Sequence, residues 1–292
     1  LLNQKTNCKL SLLGSSYRQA DNRNFLQSDY SEIIRNKNEY TSSPISAAFS
    51  IKHRFSGRLR MKSGISTEWA YHDWEVLKYN FDFDQLDTTV FGLGTSLTNK
   101  VFTQFQYFIT DDIKLNGGVA LLSYDVNNEI SIEPRIGLTK EVRDGVFSIA
   151  LGKHSQVEHF ATYMYQNKNL ETPNRNLDFA KAYHAIAGFK STLYKNHHFN
   201  IEAYYQYLYD VPGELNGTYS VLNISELEEV RELSNIGEGL NYGIDLSLER
   251  YASKGLYYVI NASIFQSQYR DGNGDWRSTE FNQRFNIKFL AG

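Results

Sequence analysis

Five places in the sequence combine residue types that could do chemistry. His154 and Ser155 are adjacent, and a hydrolase draws its general base and its attacking oxygen from such a pair. The segment around them reads as a strand, however, and neighbouring strand residues point to opposite faces. The imidazole is badly placed to serve that hydroxyl, and a polar cap at a strand end is the simpler account. Asp271, Asn273 and Asp275 have the alternate spacing of a calcium loop. The glycine required at the sixth position is replaced by Trp276 and the distant glutamate is missing, so a surface turn is favoured. Asp82, Asp84 and Asp87 form an acidic cluster of the kind that solvated loops carry. His197 and His198 are neighbours, which rarely converge on one metal ion. The glycines of GLGTS, from Gly92, lack the strand-to-helix setting of a phosphate-binding loop. No catalytic residue, metal site or cofactor signature emerges.

The elements that position these residues are strands. HFNIEAYYQYLYDVP places Phe199, Ile201, Ala203, Tyr205, Tyr207 and Tyr209 on one face, with Asn200, Glu202, Tyr204 and Gln206 on the other. An apolar face that ends in tyrosines is what a strand needs where hydrocarbon meets water. Ile45, Ala47, Phe49 and Ile51 alternate in the same way with Ser46, Ser50 and Lys52. Leu59, Met61, Ile65 and Trp69 oppose Arg58, Arg60, Lys62, Ser66 and Glu68. Twelve candidate strands can be placed between Lys9 and Gly292. Pro134, inside one of them, suits an edge or a bulge. A capping box at Ser225 and Glu228 predicts a short helix over 224–233.

Connections between the strands alternate in type. Tight turns fall at FSGR, Asp111-Asp112, RDG, KNHH and SKG, and most of the others are expected to be loops of roughly 25 residues, with VNNE and RDGNGD the short exceptions. Short turns on one rim and long loops on the other describe a transmembrane β-barrel. Charges at Arg58, Arg60, Lys62, Glu133, Arg135, Glu202, Asp245, Glu249, Arg284 and Lys288 then fall on the lumen-facing side. Facing lipid, each would cost about 2 to 4 kcal/mol at the midplane.

Composition agrees. Aromatics are 14% of 292 residues, with 21 Tyr and 18 Phe against 4 Pro, 2 Met and a single cysteine, Cys8, a profile that favours strands. A net charge of −3 gives no reason to expect a nucleic-acid partner. Mean hydropathy is −0.48 and no apolar run is long enough for a spanning helix, a test that strands escape because half their residues face water. Aromatics on the loops, Phe81, Phe83, Phe91, Tyr163, Tyr165 and Tyr219, are the candidates for holding a ligand.

Several phrases, EYTSSPISAAFSIKHRF, SIEPRIGL, ALGKHSQ, NIEAYYQYLYDVP, NYGIDLSLER and DWRSTEFNQRFNIKFLAG, resemble the barrel of TonB-dependent outer-membrane receptors, in particular the Bacteroidetes type with a carboxypeptidase-regulatory-like domain before the plug. The resemblance implies an all-β, antiparallel transmembrane barrel in the bacterial outer membrane and no enzyme activity. Energised uptake of a scarce nutrient follows from it: a siderophore, cobalamin, glycan or peptide. Outer-membrane lipid, a plug domain, the TonB complex acting through that plug and a small nutrient ligand are the implied partners. Residues 1–292 contain neither the plug nor the aromatic-ending last strand of that family. They are therefore expected to be part of a larger, 22-stranded barrel, short of it by on the order of 240 residues. Two other architectures meet the same alternation. A self-contained 12-stranded outer-membrane pore or barrel enzyme requires the first and last strands to pair, and a soluble β-sandwich binding module requires two packed sheets.

Overall fold

A computed structural model of the chain describes residues 5–167, 169–193, 196–223, 231–253 and 255–292, apart from the side chains of 89–91, 252 and 253. The alternating segments form fourteen strands of one sheet. In chain order these are β1 (Thr6–Gly14), β2 (Tyr17–Leu26), β3 (Glu32–Arg54), β4 (Leu59–Asn80), β5 (Gln85–Phe108), β6 (Ile113–Tyr124) and β7 (Glu129–Val142). There follow β8 (Gly145–Gln156), a one-turn helix α1 (Phe160–Tyr163), β9 (Ala180–Leu193), β10 (His197–Gly213), β11 (Ser234–Ser253), β12 (Leu256–Arg270), β13 (Trp276–Ser278) and β14 (Phe285–Ala291).

From β2 to β13 each strand pairs antiparallel with its sequence neighbour, across short turns and long connections alike. Two ranks are shared: β1 and β2 lie end to end against β3, and β13 and β14 end to end against β12. The sheet therefore has the twelve ranks read from the alternation. Among the described residues it is open, since β1 and β2 pair only with β3 and the last two strands only with β12. The pairing required by a self-contained 12-stranded pore is not made, and a single sheet excludes a sandwich.

One expectation is corrected. The segment up to Ser43 and the stretch from Ala70 to Thr98 are not loops. They extend β2 to β5 into hairpins whose strands β3, β4 and β5 run for 23, 22 and 24 residues, about twice what a bilayer requires. Their turns are only 27–31 and 81–84. Long connections remain at 157–179 and 214–233, on the rim opposite the tight turns. The helix expected over 224–233 lies largely outside the described residues.

The cause of the misreading is visible along β4. Up to Trp69 its outward face carries Leu59, Met61, Ile65 and Trp69, broken only by the small hydroxyls of Ser63 and Thr67, and its inward face is polar; Ile65 is 47% exposed on the outer face while Lys62 and Ser66 line an inner cavity. Beyond Tyr71 the polarity inverts without any break in register. Ala70, His72, Trp74 and Val76 are now buried inside, with Trp74 only 2% exposed, while Asp73 and Glu75 point out. Outside, Lys37 pairs with Glu39 at 3.2 Å and approaches Glu75 at 3.9 Å. A strand whose apolar face changes sides at a Trp–Tyr pair is crossing from hydrocarbon into water. Over 6–108 the upper hairpins stand in water, and their packing partner is on the inside.

That partner is the 157–179 connection. Its α1 and a 3-10 turn at Pro173–Asn176 turn inward, where Phe160, Tyr163, Leu177 and Phe179 form a core with Leu122 and Tyr124 of β6. Ala161 packs on Trp74 and Val76. Asn174 ties the layer down, donating to the Arg231 carbonyl at 2.7 Å and accepting from the Leu233 amide at 2.8 Å.

Candidate functional site

Below that core the inner wall is open and charged. Side chains from β3 to β9, among them Lys52, Arg60, Lys62, Lys100, Arg135 and His184, line one cavity of about 800 Å³. Glu133 is 1% exposed and accepts from Lys100 Nζ at 3.0 Å, from Arg135 at 2.9 Å and from the Ser155 amide at 3.1 Å. A buried carboxylate is tolerated because two cations and a backbone donor replace its water. Arg60 and Lys62 instead lie over the rings of Phe108 and Phe102, each 5.5 Å from the centroid.

The strand registers place the other predicted charges. Glu202 lies opposite Asp245 across β10 and β11, Glu249 accepts from Ser247 at 3.3 Å, and Lys288 lies opposite Asn261. Two of the predicted charges are not on strand faces. Arg58 is in the 55–58 turn, where its carbonyl accepts from the Phe108 amide. Arg284 precedes β14 with φ of 65°, a turn conformation that interrupts the alternation.

The candidate aromatics separate by depth. Phe81 and Phe83 sit at the tip of the β4–β5 hairpin, 70% and 73% exposed, with Phe81 5.4 Å from Phe25 and 5.1 Å from Tyr79. Phe91 stands opposite Glu75 in the register. Tyr163 is fully buried and its hydroxyl accepts from the Glu158 amide, so its ring packs the connection. Tyr165 is half-buried, and Tyr219 lies under the Arg231 guanidinium at 4.3 Å.

None of the chemistry-bearing clusters assembles a reactive set. The Ser155 hydroxyl shares a hydrogen bond with Ser131 at 2.6 Å, and the His154 ring faces His184 at 4.6 Å, so the two neighbours serve different partners. Asp271 accepts from the amides of Asn273 and Asp275, both at 3.0 Å, and from Arg277, which holds its carboxyl below the usual range. That is an Asx turn closed by an arginine. Gly272 within it is required by contact, since a Cβ there would clash with the Glu214 carbonyl oxygen. Asp84 accepts from Tyr79, and Asp87 from Asn80 at 2.5 Å and Gln85 at 2.9 Å, so the acidic cluster closes its own hairpin. His198 packs on Tyr251, and Gly92 and Gly94 lie within β5. Among the described residues no three metal-ligating side chains converge.

Sequence reasoning missed the joint between connection and wall. The His159 ring lies 4.5 Å from Trp74 and 5.1 Å from Tyr40, and Phe160 stacks on His72 at 4.1 Å. Burial pushes the neighbouring Glu158 carboxyl up to about 7 and, with His72 nearby, the His159 imidazole down to about 4. Lys181 was also missed; its ammonium bridges Glu129 at 2.9 Å and Asp210 at 3.0 Å. The inverted alternation of His72, Trp74 and Val76 was the available signal.

An antiparallel sheet with an apolar outer face, a charged inner face and a connection folded against that inner face has the architecture of an outer-membrane β-barrel wall. No family model matches the chain, and no curated protein matches it. Solved structures do. The outer membrane transporter YddB from Escherichia coli superposes with a TM-score of 0.68 at 10% identity, over 99% of this chain and 46% of that one. The ferric yersiniabactin uptake receptor FyuA from Yersinia pestis gives 0.66 at 12%, over 97% and 44%. The outer membrane receptor FpvA from Pseudomonas aeruginosa, bound to pyoverdine, gives 0.67 at 10%, over 98% and 45%. The chain thus spans somewhat under half the length of these proteins, which are a transporter and two receptors rather than enzymes. At such identities the likeness establishes the fold.

Proposed function

We propose that the chain forms part of the barrel wall of a TonB-dependent receptor in the bacterial outer membrane, which imports a scarce nutrient captured at the long-connection rim. The observation that carries this reading is the sheet's two-sidedness: an outer face apolar up to the Trp69–Tyr71 boundary, and an inner face charged below that boundary and packed by a folded-in connection above it. The similarity of almost the whole chain to receptor barrels supports the same reading.

In this mechanism the wall holds its shape while a plug gates the lumen and TonB supplies energy from the inner membrane. No bond is made or broken by the wall. The exposed rings at Phe81 and Phe83 offer apolar faces to an arriving ligand, with Tyr165 and Tyr219 deeper on the same rim. Siderophores, cobalamin, glycans and peptides are the ligand classes, and the phrase-level resemblance favours the Bacteroidetes type. Deleting the parent gene and supplying iron chelates, cobalamin or glycans singly tests it. One nutrient should cease to support growth, and deletion of the TonB gene should give the same defect. Unimpaired growth of both strains on every source refutes the reading.

A further inference from the structure

On its outer face the sheet carries a groove that its own pairing creates. β7 and β8 are laddered from Val142 and Gly145 only as far as Arg135 and Gly152. Above that point they part: β7 keeps pairing with β6 up to Glu129, and β8 with β9 up to Gln156. Pro134 stands at the parting, where a residue without an N–H has nothing to donate to a neighbouring strand. Polar side chains bridge the inner side of the parting, with Glu133 accepting from the Ser155 amide at 3.1 Å and Ser131 bonded to Ser155 at 2.6 Å. On the outer side lies a groove of about 410 Å³.

Its lining is in the outward phase of the strands. Leu151, Ala185 and Tyr205 stand in one cross-strand row, so a methyl group lies between two large side chains, and Pro134, Ile136 and Tyr183 complete the apolar surround. Lys153 lines the groove as well, near the end of β8 where the 157–179 connection begins. It stands opposite Tyr183 in a row that continues to Tyr207, and Tyr209 stacks on Tyr183 at 5.2 Å. Such a belt of tyrosines marks the edge of the hydrocarbon. A lysine at that depth lays its stem along apolar surface and sends its ammonium to the headgroups. Among the described residues Lys153 has no ion-pair partner.

We propose that this groove is a lipid site: one acyl chain of an outer-leaflet lipid lies over Ala185 at the parting of β7 and β8, and the phosphate of its headgroup accepts from Lys153 Nζ. The occupant is singled out by an apolar trough with one unpaired cation at its headgroup end. A free phosphate ion uses only the cation, and an uncharged lipid only the trough. The site goes beyond the receptor reading and rests on it only in taking the long-connection rim as the cell's exterior.

The test uses the full-length receptor in detergent, with native mass spectrometry counting the lipid retained as diphosphorylated lipid A or its dephosphorylated form is added. Lys153→Gln should weaken retention of the phosphorylated lipid about tenfold and leave that of the dephosphorylated form unchanged, and Lys153→Arg should bind as the parent does. Ala185→Phe, which fills the trough, should weaken retention of both forms. An unchanged folded band on an unboiled gel reports an intact barrel, and if Ala185→Phe does not fold, the two Lys153 variants still decide. Retention of the phosphorylated lipid by Lys153→Gln within about twofold of the parent overturns the proposal. So does displacement of the lipid by inorganic phosphate with Ala185→Phe without effect, which leaves a free-phosphate site. A dimer in the spectrum that Ala185→Phe abolishes overturns it too, by making the groove an interface between copies. None of these outcomes touches the receptor reading, which stands or falls on nutrient uptake.

Discussion

Glu158 and His159 are adjacent where the 157–179 connection meets the wall, and burial drives them in opposite directions, to about 7 and about 4. For Glu158 the folded value exceeds the ordinary 4.5, so docking is favoured below about pH 4.5 and progressively penalised as pH rises to about 7. For His159 the folded value is below the ordinary 6.5, so docking is intact above about pH 6.5 and weakens as pH falls to about 4. At about 1.36 kcal/mol per pH unit, each full excursion approaches about 3 kcal/mol. Between pH 4.5 and 6.5 the two slopes have opposite sign and cancel, so the free energy of lifting the connection should be flat there. Glu158→Gln removes one slope and leaves docking that strengthens by about 1.4 kcal/mol per unit from pH 4 to 6.5. His159→Gln leaves the other, and docking then weakens from pH 4.5 to 7. Amide exchange at Thr162 and Met164, whose N–H groups bond to the carbonyls of His159, Phe160 and Ala161, reports the opening once corrected for the chemical rate at each pH. A Glu158→Gln profile that superimposes on the parent's refutes the reasoning.

Glu133→Gln leaves Lys100 and Arg135 sharing an uncharged partner at a buried position, and the barrel's folded gel band should disappear at a lower temperature, for a loss of about 2 kcal/mol. Ile65→Arg, inside the apolar band, should cost about 2 to 4 kcal/mol in vesicle refolding, whereas Glu75→Arg, above the inversion on the same strand, should change stability by less than about 1 kcal/mol. Equal costs at the two positions would remove the boundary placed at Trp69 and Tyr71. Gly272→Ala forces the Glu214 backbone away, so the Gly272 amide, bonded to the Gly217 carbonyl at 2.9 Å, should exchange much faster.

The lower strands were legible because a membrane imposes one rule on every residue: in Ile45 to Ile51 or Phe199 to Tyr209, outward means apolar. Above the bilayer that rule lapses. On β2, Arg18 to Asn24 has water-seeking residues on both sides, and on β4 the apolar face has changed sides, so both segments resemble loops to a reader following one phase. Tyr163 was visible as an aromatic but not as buried, because its burial depends on Leu122 and Tyr124, far away in the chain. The charged wall was partly legible. Strand phase alone places Arg60, Lys62 and Glu202 inward, but the opposition of Lys52 to Lys62 or of Glu202 to Asp245 is a property of register. No single strand contains it.

The polarity change at Trp69 and Tyr71 also bears on what the surroundings of the cell can grip. From outside, the tall β2–β5 hairpins show a skin of Arg18, Lys37, Glu39, Asp73 and Glu75, most of them in surface ion pairs that can be exchanged at little cost to the fold. The costly residues, Trp74, Val76 and Tyr40, are turned inward. An antibody or phage that learns this surface learns its most replaceable part, while whatever enters the lumen meets side chains that cannot drift without loosening the docked connection.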